Sequence, residues 1–197
     1  MDKSEFLALY NDNAEIIKKI QDEASRLHAS VNQLYDGYLP YSFHLRLSAS
    51  YVTRFAYLFD IKAEEITTIF AAIYFHDSIE DARLTYRDLS KLFTRMNADG
   101  CNIDVEKAAD IVYALTNEKG KTRLERANDK YYEGIRNTPY APFLKMCDRL
   151  ANIRYSTLFS ISGKMKKVYK EEMPHFIDSI GNVPQEMIDE AMAMLAD

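Results

Sequence analysis

Apolar side chains recur at helical spacing along almost the whole chain, and this pattern narrows the fold more than any other feature. Between Ala14 and Leu34, residues Ile16, Ile17, Ile20, Ala24 and Leu27 fall on one face of a 3.6-residue helix. Only six Gly and five Pro interrupt 197 residues, and no alternating stretch is long enough for a useful strand. The expected fold is therefore all-α. A first helix should begin near Ser4 and break around Asn11-Asp12-Asn13, before the stretch 14–34. Asp36-Gly37-Tyr38-Leu39-Pro40 reads as a turn, because Gly and Pro both punctuate helices. Helices should follow over about 42–59, 63–76, 85–97, 104–117 and 121–136. Another begins after Pro139 and continues to about Ser162, and closing helices cover 164–180 and 185–196.

The length suits one well-buried core, and no repeat or linker divides it. We therefore expect a single domain over residues 1–197, with a motif-bearing core at about 25–160 and closing helices in 164–196. No apolar run approaches the ~20 residues of a membrane helix, and Met1-Asp2-Lys3-Ser4-Glu5 is too polar for a secretory signal. Cys101 and Cys147 lie far apart without ligand-like spacing, which argues against a disulfide framework and for a reducing cytoplasm. The net charge of -5 argues against a broad nucleic-acid surface but leaves room for a small anionic partner held by local cations. Assembly into a homo-oligomer is left open.

Chemistry enters at His76-Asp77-Ser78-Ile79-Glu80-Asp81, directly after the apolar run Ile66–Phe75. Three carboxylates and an imidazole beside a buried helix are costly unless a cation compensates them. Two more polar residues sit where an apolar face should continue. His44 opens a helix that then reads Leu47, Tyr51, Val52 and Phe55, and Asp148 shares a face with Leu144. One helix cannot surround an ion, so a His/carboxylate metal site needs ligands from several.

The order His44, His76-Asp77, Asp148 resembles the HD superfamily of metal-dependent phosphohydrolases. Pro40-Tyr41-x-x-His44, His76-Asp77-x-x-Glu80-Asp81 and Lys145-x-x-Asp148-Arg149-Leu150-x-Asn152 narrow the likeness to the hydrolase domain of RelA/SpoT proteins and their small stand-alone relatives. Leu115-Thr116-Asn117-Glu118-Lys119 and Arg123-Leu124-Glu125-Arg126 resemble that family's connecting segment. The resemblance implies an HD-type helical bundle with a central metal site, and manganese-dependent release of pyrophosphate from the 3′ position of guanosine tetra- or pentaphosphate. By the same likeness, His44, His76, Asp77 and Asp148 would hold a divalent metal, Mn2+ first among them. Glu80 and Asp81 would position and activate the attacking water. Asn152 would contact the nucleotide and Arg149 a phosphate, unless Arg149 is a solvated helix charge.

The chain departs from that pattern before Gly37. Gln33-Leu34-Tyr35-Asp36 stands where a basic pair usually contacts guanine, so Tyr35 is the candidate for stacking on a base. Lys121 and Arg123 belong to a basic segment, Lys119 to Lys130, that is either a phosphate contact or a solvated face. His28 and His175 read as surface or partly packed residues, and Cys147 as a buried, inert thiol. Two other functions remain in view: an HD phosphohydrolase for a nucleoside monophosphate or cyclic nucleotide, and a non-catalytic nucleotide sensor.

Overall fold

A computed structural model describes residues 1–160 and 163–196. The chain is all-α, with one tiny hairpin among the described residues. Helices α1 (Lys3–Asp12) and α2 (Ala14–Ser30) lead into strands β1 (Leu34–Tyr35) and β2 (Leu39–Pro40). Then come α3 (Ser42–Phe55), α4 (Ile66–Tyr74), α5 (Tyr86–Ala98) and α6 (Val105–Leu115). The short α7 (Arg123–Arg126) precedes α8 (Asp129–Asn137), α9 (Ala141–Leu158), α10 (Lys164–Ile180) and α11 (Gln185–Leu195).

Helix α4 is apolar on every side apart from two threonines, and every one of its residues is buried. A helix without a polar face has to be enclosed. Helices α2, α3 and α6 do this, while α9 packs on α3, α6, α8, α10 and α11 and also reaches α4. The threonines of α4 are used: Thr67 Oγ1 donates to Asn102 O at 2.6 Å, and Thr68 Oγ1 accepts from Asp104 N at 2.9 Å. Asp104 in turn caps α6 through Lys107 N. The inner helices α3, α4 and α9 meet at the bundle centre, where α3, α9 and the turn that follows α4 deliver polar residues.

Four boundaries differ from the sequence expectation. Helix α2 stops at Ser30, because Asn32 takes a left-handed φ of 55° and Gln33 N turns back to His28 O. Leu34 and Tyr35 are therefore strand and not helix, and they pair antiparallel with Pro40 and Leu39. Asp36 and Gly37, with φ of 52° and 78°, supply the positive φ values that a tight hairpin demands. The segment expected as one helix over 121–136 is two, since Asn128 caps α8 by accepting from Tyr131 N. Helix α4 ends at Tyr74, so His76 to Asp81 lie in turns beyond it. The final helix of the core ends at Leu158, and its expected end near Ser162 lies outside the described residues.

Phe143 is fully buried in the first turn of α9, with its ring centre 4.1 Å from that of Phe59. Truncating such a ring leaves a cavity as well as losing transfer energy. Phe143→Ala should lower unfolding stability by about 3–5 kcal/mol. Urea denaturation would show this as a lower midpoint at an unchanged slope; a midpoint shift equivalent to under about 1 kcal/mol would contradict the central role of α9.

Candidate metal centre

The first turn of α3 carries His44, the chain just past α4 carries His76 and Asp77, and the middle of α9 carries Asp148. The Nε2 atoms of His44 and His76 face each other at 3.2 Å. Asp77 Oδ2 lies 2.9 Å from His76 Nε2 and 3.4 Å from His44 Nε2. From another side, Asp148 Oδ1 lies 3.3 Å from His44 Nε2 and 3.6 Å from His76 Nε2. The ligand atoms of His44, His76 and Asp77 all fall within 4.8 Å of one another.

Hydrogen bonding fixes what this group offers. His76 Nδ1–H donates to Ile73 O at 2.7 Å, which leaves the Nε2 lone pair aimed at the cluster. Two neutral imidazoles cannot point lone pairs at each other 3.2 Å apart without a cation or proton between them. The titration pattern has the same origin. Burial by itself would keep both histidines neutral, but Asp77 and Asp148 outweigh it, raising His44 and holding His76 well above the ordinary range. Burial would likewise raise the two aspartates, yet His76 and His44, joined by Lys145 at Asp148, hold both well below the usual carboxylate range. Two imidazoles and two carboxylates converging from α3, α9 and the turn after α4 fit a divalent ion.

Several neighbours orient these groups. Tyr41 Oη donates to Asp77 Oδ2 at 2.5 Å. Lys145 Nζ takes Asp148 Oδ2 at 3.0 Å and so leaves Oδ1 toward the imidazoles. Asn152 Nδ2 also donates to Asp148 Oδ1, at 2.6 Å. The Asn152 carbonyl oxygen accepts from Tyr35 Oη at 2.8 Å, and the Tyr35 ring stacks on His44 at 4.9 Å between centres. Asn152 and Tyr35 therefore lie at the site, but they are engaged in holding Asp148 and His44.

A cleft of about 590 Å³ opens from this group. Asp81 lines it, its carboxyl pushed up to about 6, first by burial and then by the charge of Asp77. Glu80 lines it too, accepting from Asn117 Nδ2 at 2.8 Å and lying 3.7 Å from Arg126 Nη1. Both lie in turns, in which Asp81 N returns to Asp77 O at 2.8 Å. That single helical-type bond keeps Asp81 on the side of Asp77. Arg123 and Arg149 also line the cleft, and both pair with Glu172. Lys121 is exposed and outside the cleft lining. A second groove of about 600 Å³ runs between α6 and α8 and contains none of the clustered residues.

The structure adds residues that the sequence did not single out. Lys145 is a buried ammonium; burial disfavours its charge, but Tyr131 and Asp148 hold its pKa above the ordinary value. Glu172, Tyr169 and Tyr132 line the cleft from helices that no motif reaches. His28, expected near the surface, is fully buried and stacked on Tyr41 at 4.5 Å between ring centres. Burial lowers its pKa to about 4, and neither ring nitrogen has a hydrogen-bond partner. Its spacing from Ile20 and Ala24, on the buried face of α2, is a signal that the periodicity held. His175 is exposed at the cleft wall, edge-on to Tyr132. Cys147 is buried, and burial pushes its thiol well above the ordinary range. Comparison with models of known protein families and with curated proteins returns no match.

The charges of this group make stability depend on pH and metal together. Without an ion, folded Asp81 keeps its proton to about pH 6, against an ordinary value of 3.8, so its contribution is full below that value and is lost as pH rises through 6. The raised histidines act in the same sense, their contribution fading above the ordinary imidazole range. A divalent ion replaces those protons and binds tighter as pH rises. Thermal denaturation should therefore show a larger Mn2+-induced rise in Tm at pH 8 than at pH 5.5. Equal increments at the two pH values would count against an ion among these four residues.

Proposed function

We propose that this chain is a metal-dependent phosphohydrolase that releases pyrophosphate from a 3′-modified purine nucleotide, as the RelA/SpoT-type hydrolase domain does. The observation that carries the reading is the pair of facing imidazole nitrogens between Asp77 and Asp148, opening into a cleft that also holds Glu80 and Asp81. A divalent ion there would supply Lewis acidity to the attacking water and screen phosphoryl charge. The remaining work falls to side chains.

Asp81 is the base. A carboxyl with a pKa near 6 is ionised at neutral pH yet basic enough to take a proton from water. Tyr41, which donates to the Asp77 carboxylate and interacts with Asp81, keeps the two groups at fixed spacing. Glu80, tethered by Asn117, lies on the same wall to orient the water. The water oxygen bonds the phosphorus attached to the 3′ oxygen, that P–O bond breaks, and the 3′ oxygen takes up a proton as pyrophosphate departs. Tyr35 is committed to His44 and Asn152, so the reading specifies the reaction and leaves the base to other parts of the cleft.

Purified protein with Mn2+ should release pyrophosphate from guanosine tetraphosphate. The double change Glu80→Ala with Asp81→Ala should lower kcat by about 10²–10⁴ while Mn2+ still binds. Undiminished turnover by that variant would remove both residues from the chemistry. Activity should also fall on acidification through a limb at or below pH 6, because the base must be ionised and a neighbouring cation only lowers its pKa. Turnover that instead increases steadily below pH 5 would exclude Asp81 as the base.

A further inference from the structure

Position 28 holds a histidine where packing asks for an apolar residue. It lies in the last turn of α2, on the face of Ile17, Ile20 and Ala24, and is fully buried. Neither ring nitrogen has a hydrogen-bond partner. A leucine would fill similar space without burying two unpaired polar atoms, so the imidazole weakens the core it sits in. Burial also keeps the ring neutral at physiological pH, its pKa lowered to about 4, so it brings no positive charge toward Asp77, His76 and His44. What the imidazole has and a branched aliphatic chain lacks is a flat face.

That face is in use. The His28 ring lies 14° from the plane of Tyr41, with 4.5 Å between centres. Tyr35 and His44 stand at steep angles to Tyr41, 86° and 67°. Among the described residues, His28 is therefore the one ring laid flat against this phenol. The Tyr41 hydroxyl donates to Asp77 Oδ2 at 2.5 Å, the oxygen that also lies 2.9 Å from His76 Nε2 and 3.4 Å from His44 Nε2. A phenol keeps its hydroxyl hydrogen in the plane of the ring, so turning the ring turns the donated bond away from Asp77. His28 is itself pinned by its backbone. Its carbonyl accepts from Val31 N at 3.3 Å and Gln33 N at 3.0 Å, where α2 gives way to the hairpin. No residue of α2 lines the cleft, so His28 acts from behind it.

We propose that His28 is a positioning residue for the metal centre: its flat ring holds the plane of Tyr41, and through Tyr41 the direction in which Asp77 is presented. It touches neither ion nor substrate. The inference deepens the functional reading and rests on its metal site alone, whatever the reaction. Partners that orient metal ligands in this way alter metal affinity by about 10–100-fold when lost. A space-filling role would be met by any side chain of similar bulk. A positioning role requires a ring.

Titration calorimetry of Mn2+ into the full chain and two variants separates these roles. His28→Leu keeps the bulk and removes the flat face, and should weaken Mn2+ binding about tenfold. His28→Phe restores a flat face and should bind Mn2+ within about threefold of the unmutated protein. In a Tyr41→Phe background, where the hydroxyl is already gone, His28→Leu should have no further effect. Full Mn2+ affinity in His28→Leu overturns the proposal, as does an equal loss in both variants or an additive loss in the Tyr41→Phe background. A second readout needs no ion. In the metal-free protein the Tyr41 hydroxyl proton, identified by its disappearance in Tyr41→Phe, should resonate downfield as a phenol donating to a carboxylate does. It should persist in His28→Phe and be lost to exchange in His28→Leu; its survival unchanged in His28→Leu also overturns the proposal. If the unmutated protein binds no Mn2+, the metal reading falls and this inference with it. If it binds Mn2+ and the variants behave alike, the inference alone falls. Pyrophosphate release enters neither readout.

Discussion

The structure turns on two imidazole nitrogens held 3.2 Å apart between two carboxylates. Such an arrangement holds only with a proton or a cation between the nitrogens, and it brings two carboxylates close together, so the surrounding bundle has to keep it in place. The force that does so is apolar. Helix α4 is buried along its whole length, and α3 and α9 close over it with Leu45, Val52, Phe143, Leu144 and Leu150, all fully buried. Each buried side chain of this size contributes about 1.5–3 kcal/mol, and several together outweigh the cost of clustering polar groups at the centre. The core is therefore the clamp for the site as well as the source of stability.

Around this centre, polar contacts divide into those that aim ligands and those left to meet a bound molecule. Ile73, Lys145, Asn152 and Tyr41 aim them, through single well-directed hydrogen bonds. Because Asp148 Oδ2 is taken by Lys145, only Oδ1 faces the imidazoles; the ammonium sets which oxygen is presented. Asp81 belongs to the other class. It lines the cleft, and burial together with the neighbouring Asp77 charge raises its pKa to about 6. The same cleft is also lined by two arginines that share one glutamate.

Much of this was legible without coordinates. Helical periodicity identified the all-α fold and most helices, because a helix face must be apolar wherever it meets a core. His44, His76, Asp77 and Asp148 stood out because each is polar at a position where burial was expected, and the structure brings all four together. The signal failed where local and tertiary effects compete. The α2 pattern runs on past Ser30, but Asn32 and the Asp36-Gly37 turn redirect the chain into a hairpin that lays Tyr35 over His44. Glu80 and Asp81 sit in turns past α4, and one backbone bond from Asp81 to Asp77 keeps Asp81 on the side of Asp77. The hydrogen bond between Tyr35 and Asn152, 117 residues apart in sequence, is likewise a relation that no local pattern announces, and both residues line the cleft.

By itself, the sequence determined the class of fold, the four residues at its centre and the type of chemistry those residues suit. It could do so because burial leaves its mark residue by residue, and a charged group on an apolar face is visible in one dimension. The tertiary structure alone decided which groups share a wall. It joined Glu172 to Arg123 and Arg149, set Lys145 on one oxygen of Asp148, stacked His28 behind Tyr41 and left Lys121 outside. Those relations depend on the angles at which helices cross. Such angles follow from how all the side chains of a core pack at once, and no local pattern in the chain encodes them.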